Sequence, residues 1–185
     1  MKLLQKEEYN ISYFDGKLSR IKHNAGYDFY NKSEVFNKRA KYLFEKYNLK
    51  DKKVLDIGCA KGYLVEELRN MKVDAYGVDF SEYALLEAPS SISKYLFNGD
   101  LKDCLKTFNK NHFDLICSRF VLSCFDDKQI EDLVKDCNSV SVFQNHLISH
   151  EPNIKFYNSK TLEEWEIFDW KKGTELSTIY KTIVK

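Results

Sequence analysis

The stretch VLDIGCAKGYLVEEL, Val54 to Leu68, decides how this chain is read. An apolar run ends in an acid, Asp56, and small residues follow at Gly58, Ala60 and Gly62 before an apolar rhythm of helical spacing begins. The pattern predicts strand, tight turn and helix, with glycines that let a ligand approach the backbone. Such turns usually hold phosphates on a helix N-terminus, and a carboxylate beside a phosphate is repulsive. The dinucleotide pattern G-x-G-x-x-G does not fit, because its third glycine, counted from Gly58, falls on Tyr63. No Gly-Lys-Ser/Thr follows, so a phosphate-binding Walker loop is excluded. Asp56 points to a cationic ligand.

Strand and helix alternate on both sides of this stretch. Phe36, Ala40, Leu43, Phe44 and Tyr47 predict a helix over 33–47 with Ser33 as N-cap. Strands are expected at 53–57, 75–78, 95–97, 113–117 and 140–148, with a helix over 61–71. Another helix starts at the N-cap Ser81 and stops before Pro89. Asp126 and Gln129 are spaced like a capping box ahead of Ile130, Leu133, Val134 and Cys137. Residues 161–168 read as helix, and 175–184 as strand after a turn at Gly173. Regular alternation implies right-handed crossovers and a mostly parallel sheet. The last two strands lie close in sequence, which predicts an antiparallel pair at one edge.

A length of 185 residues, 43% hydrophobic and 31% charged, describes one globular α/β domain. Residues 1–50 are expected to form a cap or lid and a helix, and 51–185 the core. The net charge of +1 leaves no strong field for nucleic acid or membrane, although Lys38, Arg39, Lys41, Lys46, Lys50, Lys52 and Lys53 make one segment basic. The N-terminus lacks the apolar run of a leader or anchor. Cys59, Cys104, Cys117, Cys124 and Cys137 form no C-x-x-C pair, which suits reduced cysteines and a cytoplasmic location. No metal site is expected.

With Asp56, Gly58, Ala60 and Gly62 in that order, the segment resembles motif I of the class I S-adenosylmethionine-dependent methyltransferases. Their methyl donor carries an ammonium and a sulfonium and no phosphate. Ala60 stands where the family has its middle glycine. The resemblance runs from about Lys52 to Ile148 and implies a Rossmann-like fold: a mostly parallel seven-stranded sheet with an antiparallel edge pair and helices on both faces. It implies S-adenosylmethionine as cofactor and S-adenosylhomocysteine as product. On this basis Asp56, Gly58, Cys59, Ala60 and Gly62 form the cofactor turn, and Asp79 receives the ribose hydroxyls. Phe80 lies against the adenine, while Asp100 and Leu101 meet its amino edge. Ser118 and Arg119 face the methionine portion and the acceptor. Segments before motif I commonly act as lids in this family, which nominates Tyr27, after Gly26.

A sulfonium makes its methyl group electrophilic, so transfer needs chiefly in-line alignment of acceptor, methyl and sulfur. A general base is required only for an acceptor that keeps its proton. His146, near the end of the fifth strand, is the candidate; the competing reading is a hydrogen-bonded core histidine. SRFVLSCF after the fourth strand is not the Asn/Asp-Pro-Pro-aromatic tetrapeptide of enzymes that methylate base amines. A small-molecule or saccharide acceptor is therefore expected. Two other readings stand beside it: an RNA methyltransferase using the basic helix, and a non-catalytic cofactor-binding module or partner subunit. Ser123-Cys124 replaces the Glu-His of many small-molecule relatives.

Overall fold

A strand with no polar face must be covered on both sides. β1 (Lys53–Ile57) carries four buried residues in a row and lies inside a six-stranded sheet. The computed structural model describes residues 9–14, 32–148 and 162–178. Its other strands are β2 (Asp74–Asp79), β3 (Leu96–Asn98), β4 (Phe113–Arg119), β5 (Ser141–Ile148) and β6 (Glu175–Thr178), in the order β3-β2-β1-β4-β5-β6. Every pairing is parallel.

The helices are α1 (Ile11–Phe14), α2 (Lys32–Tyr47), α3 (Tyr63–Asn70), α4 (Glu82–Leu86), α5 (Leu101–Lys106), α6 (Asp127–Val140) and α7 (Leu162–Trp165). Side chains alternate along a strand, so neighbours serve opposite faces. Val54, Leu115 and Cys117 pack with Ala40 and Leu43 of α2 and with Leu64 and Leu68 of α3. Leu55, Ile57 and Ile116 pack with Leu105 of α5, Ile130, Leu133 and Val134 of α6 and Trp165 of α7. Caps define the helix starts: Ser81 Oγ accepts the Ala84 N–H at 3.2 Å, and Asp126 with Gln129 forms a reciprocal capping box.

Two expectations need correction. The edge pair is parallel, not antiparallel: Asn145 to Ile148 of β5 align with Glu175 to Thr178 of β6. Residues 149–174 separate them, a span that includes α7 and is long enough for a crossover. The sheet has six strands among the described residues, and the strand foreseen beyond Thr178 lies outside them. Sequence periodicity also does not announce α5, whose six residues are too few to show a rhythm.

Candidate functional site

Strand order reverses between β1 and β4, and open α/β sheets bind ligands in the crevice outside such a switch point. The turn after β1 forms its floor. Gly58, Ala60 and Gly62 all take left-handed backbone, at φ of 68°, 50° and 73°. Val78 O accepts the N–H groups of Gly58 and Cys59 at 2.8 and 3.1 Å, tying the turn to β2. A Cβ on Gly58 would stand 2.2 Å from Val121 Cγ2, and one on Gly62 would stand 2.7 Å from Ile92 Cδ1. Both glycines are therefore required by conformation and by space.

Two acids meet this turn. Asp79, 5% exposed, accepts the Ala60 N–H on Oδ2 and the Ser81 N–H on Oδ1, each at 2.8 Å. Burial raises its pKa, and backbone donors from Ser81, Ala60 and Phe80 oppose the rise. Three backbone donors leave the carboxylate with acceptor capacity for a ligand hydroxyl. Asp56, also 5% exposed, faces the α2 side of the sheet and accepts the Cys117 thiol at 3.7 Å. Burial pushes its pKa up to about 7, against the attraction of Arg39. Cys59 sits inside the turn, buried against β2, with a thiol that burial keeps protonated.

The third acid is placed differently. Asp100 is exposed and caps α5, accepting the Lys102 N–H at 2.8 Å, while Leu101 turns into the core. Phe80 is half-buried, its ring centroid 4.8 Å from that of Tyr9. Tyr9 stands beside Phe80 among the described residues, and Tyr27, nominated as the lid contact, lies outside them. Ser81 Oγ donates to Tyr9 O at 2.6 Å, and Phe14 packs with Ala60 and Ala84. Burial holds the Tyr9 phenol protonated, so it is a wall and not a base.

Ser118 and His146 pair across β4 and β5, with Oγ and Nδ1 2.8 Å apart. His146 is 1% exposed, and its Nε2 lies 3.0 Å from Gln144 Oε1. A carbonyl oxygen on Nε2 sets that nitrogen as the donor, so Nδ1 accepts the Ser118 hydroxyl. Burial lowers the His146 pKa to about 3, and the nearby Arg39 charge adds to the effect. The ring is neutral and already engaged at both nitrogens, which is the geometry of a core histidine.

Arg39 escaped sequence reasoning. Its Nη2 donates to Ser118 O at 3.0 Å and to Asn145 Oδ1 at 3.1 Å, and its Nε is buried without a partner among the described residues. A charged residue on an amphipathic helix reads as solvated face, and no local signal links positions 79 and 106 residues apart. Phe120 escaped too: its φ of 62° is rare for a bulky side chain and leaves no trace in composition.

Residues 54–142 match the methyltransferase domain family. Over those residues the chain resembles a methyltransferase domain. Solved structures share its fold: an S-adenosylmethionine-dependent methyltransferase from Archaeoglobus fulgidus is 22% identical with a TM-score of 0.52, over 60% of this chain and 48% of its own. A putative one from Methanococcus maripaludis is 17% identical at 0.52, over 62% and 56%. The PH0226 protein of Pyrococcus horikoshii OT3 is 21% identical at 0.53, over 75% and 62%. The chain thus spans about half the length of the first two. No curated protein matches it by sequence comparison.

The residues present fit the cofactor that this family implies. Two buried carboxylates and a turn of left-handed backbone suit an ammonium-bearing nucleoside and repel a pyrophosphate. Among the described residues, no group of three His, Cys, Asp or Glu is placed to hold a metal ion, and no helix is long and apolar enough to cross a membrane.

Proposed function

We propose that this protein transfers the methyl group of S-adenosylmethionine to a small-molecule or saccharide acceptor. One observation carries the reading: Asp56 and Asp79 flank the same glycine turn at the switch point of the sheet. Bound there, the cofactor supplies a methyl carbon that passes to an acceptor lone pair while the carbon–sulfur bond pair stays on sulfur. The chain's own work is placement. Asp79 holds the turn against β2 and offers lone pairs to the ribose hydroxyls. Asp56 meets the ammonium, Phe80 flanks the adenine, and Tyr9 with Phe14 closes the cleft from the N-terminal side. Ser118 and His146 shape the wall near the methionine portion, with His146 orienting the Ser118 hydroxyl and taking no proton. Such positioning lowers a barrier by roughly 7–11 kcal/mol.

Two lysines of the basic helix support the small-acceptor reading over an RNA one. Lys38 pairs with Glu34 and Lys46 with Glu175, at 2.5 and 2.8 Å, which offsets charge that phosphates would need. Calorimetry with S-adenosylhomocysteine and with NAD tests the cofactor, and transfer of labelled methyl into a small-molecule extract tests the reaction. Heat with the homocysteine product and none with NAD is expected. Uptake of NAD alone overturns the reading, and label appearing in RNA instead of small molecules moves the acceptor.

A further inference from the structure

One polar row crosses four strands beneath α2. Asp56 of β1 stands beside Cys117 of β4, Cys117 beside Asn145 of β5, and Asn145 beside Glu175 of β6. The Cys117 thiol donates to Asp56 Oδ1 at 3.7 Å, and Asn145 Nδ2 donates to Glu175 Oε2 at 2.7 Å. Glu175 also accepts the Tyr42 and Tyr47 hydroxyls of α2 at 2.7 and 2.9 Å and pairs with Lys46 at 2.8 Å. The row runs from the cofactor turn to the solvent-facing side of α2, and Arg39 meets it between β4 and β5.

Both anchors of Arg39 are uncharged. Its Nη2 donates to Ser118 O and to Asn145 Oδ1, and its Nε is buried without a partner among the described residues. Glu175 and the Tyr47 hydroxyl take the Asn145 Nδ2 donors, which leaves Oδ1 turned to the guanidinium. A buried cation is costly unless an opposite charge meets it. Burial keeps the Cys117 thiol protonated, so the opposite charge facing Arg39 is Asp56. Neighbouring strands lie about 4.8 Å apart, which sets a guanidinium held on β4 one strand from that carboxylate. The other groups around Asp56 are Cys59 in the turn, Cys117 and Arg119 on β4 and Asp79 on β2. Burial favours the protonated acid; Arg39 opposes it most, followed by the Cys117 hydrogen bond, with smaller and opposite effects from Asp79 and Arg119.

Resting on the cofactor reading above, we propose that Arg39 is a positioning residue of the cofactor site: anchored by Ser118 O and Asn145, it lowers the cost of ionising Asp56, so that the carboxylate receives the cofactor ammonium. Calorimetry with S-adenosylhomocysteine is run from pH 6 to 9 on the native chain, R39Q and R39K, in buffers of different ionisation enthalpy. Thermal unfolding confirms that each is folded. In R39Q, affinity is expected to fall about tenfold at pH 7 and to return within threefold of the native value by pH 9, with more proton released per ligand bound at pH 7. R39K keeps the charge and loses the planar fork, and it is expected to shift in the same direction by less. If R39Q does not fold, R39K decides alone, by a loss at pH 7 that recovers at pH 9. A loss of equal size at every pH marks a distorted turn or a direct contact with the cofactor's own carboxylate; it overturns the proposal and leaves the cofactor reading standing. Native affinity in the variants at pH 7 overturns it likewise. No heat from the native chain at any pH overturns the cofactor reading, and this proposal with it.

Discussion

The carboxylate of Asp79 accepts the backbone N–H of Ala60 at 2.8 Å, so an acid ending one strand closes the turn that ends its neighbour. The other oxygen accepts the Ser81 N–H at the same distance. Asp79→Asn replaces one acceptor with a donor and leaves a buried N–H without a partner. A loss of about 1–3 kcal/mol of stability is expected, together with at least tenfold weaker S-adenosylhomocysteine binding. Thermal unfolding and calorimetry on one preparation measure both, and unchanged binding removes Asp79 from the site.

The glycines separate required from tolerated backbone. Gly58→Ala places a methyl 2.2 Å from Val121 Cγ2 in a left-handed residue, whereas a Cβ on Gly99 meets nothing within 4 Å. Overpacking at Gly58 is expected to cost roughly 1–3 kcal/mol and to abolish cofactor binding. Gly99→Ala should bind as the native chain does. Equal behaviour of the two variants contradicts the role given to the turn.

Asp56 links binding to pH. Its pKa of about 7 leaves much of it protonated near neutrality in the free protein, because burial outweighs Arg39. An ammonium ligand favours the carboxylate, so binding releases a proton and affinity rises with pH from 6 to 8, on the order of one decade. The stability linkage of the free chain runs the other way. A raised carboxyl pKa stabilises the fold fully below about 4, and that contribution is lost as pH rises through about 7. Calorimetry in buffers of different ionisation enthalpy detects the proton, and Asp56→Asn should abolish its release.

His146 has the opposite sign. Burial lowers its pKa to about 3, so its stabilising effect is present above the unfolded value of about 6.5 and is lost as pH falls through about 3. His146→Ala strands Gln144 and the Ser118 hydroxyl and is expected to lower stability by about 1–3 kcal/mol. The pH–rate profile of the native protein should show no histidine limb near 6.5. Such a limb, absent in a folded His146→Gln variant, would restore the histidine as a base.

Tyr9 packs its ring against Phe80 at 4.8 Å and accepts the Ser81 hydroxyl at 2.6 Å through its backbone oxygen. Tyr9→Ala keeps that backbone contact and removes the ring. S-adenosylhomocysteine affinity is expected to fall three- to tenfold with little change in unfolding temperature. Affinity equal to the native chain's would reduce the segment to packing.

Much of this was legible in the linear chain, because strands, helices and caps are written locally. Lys53 to Ile57 announces a doubly buried strand, Ser81 and Asp126 announce helix starts, and the order acid, glycine, alanine, glycine points away from a phosphate ligand. Each rests on neighbours within a few residues, where periodicity and backbone preference act. Asp79 followed for a similar reason: a parallel sheet brings equivalent strand ends to one edge.

What only the tertiary structure decided depends on contacts between distant positions. Asp56 and Asp79 end as buried groups beside one turn, while Asp100, with the same local signature, stays in water as a helix cap. Arg39 reaches across the sheet to Ser118 and Asn145, and His146 finds both its partners inside the core. Burial and partner set the charge state of such groups, and neither is a property of a residue's neighbours in the chain. The parallel edge pair follows the same rule: the relative direction of β5 and β6 is a tertiary choice, which spacing alone leaves open.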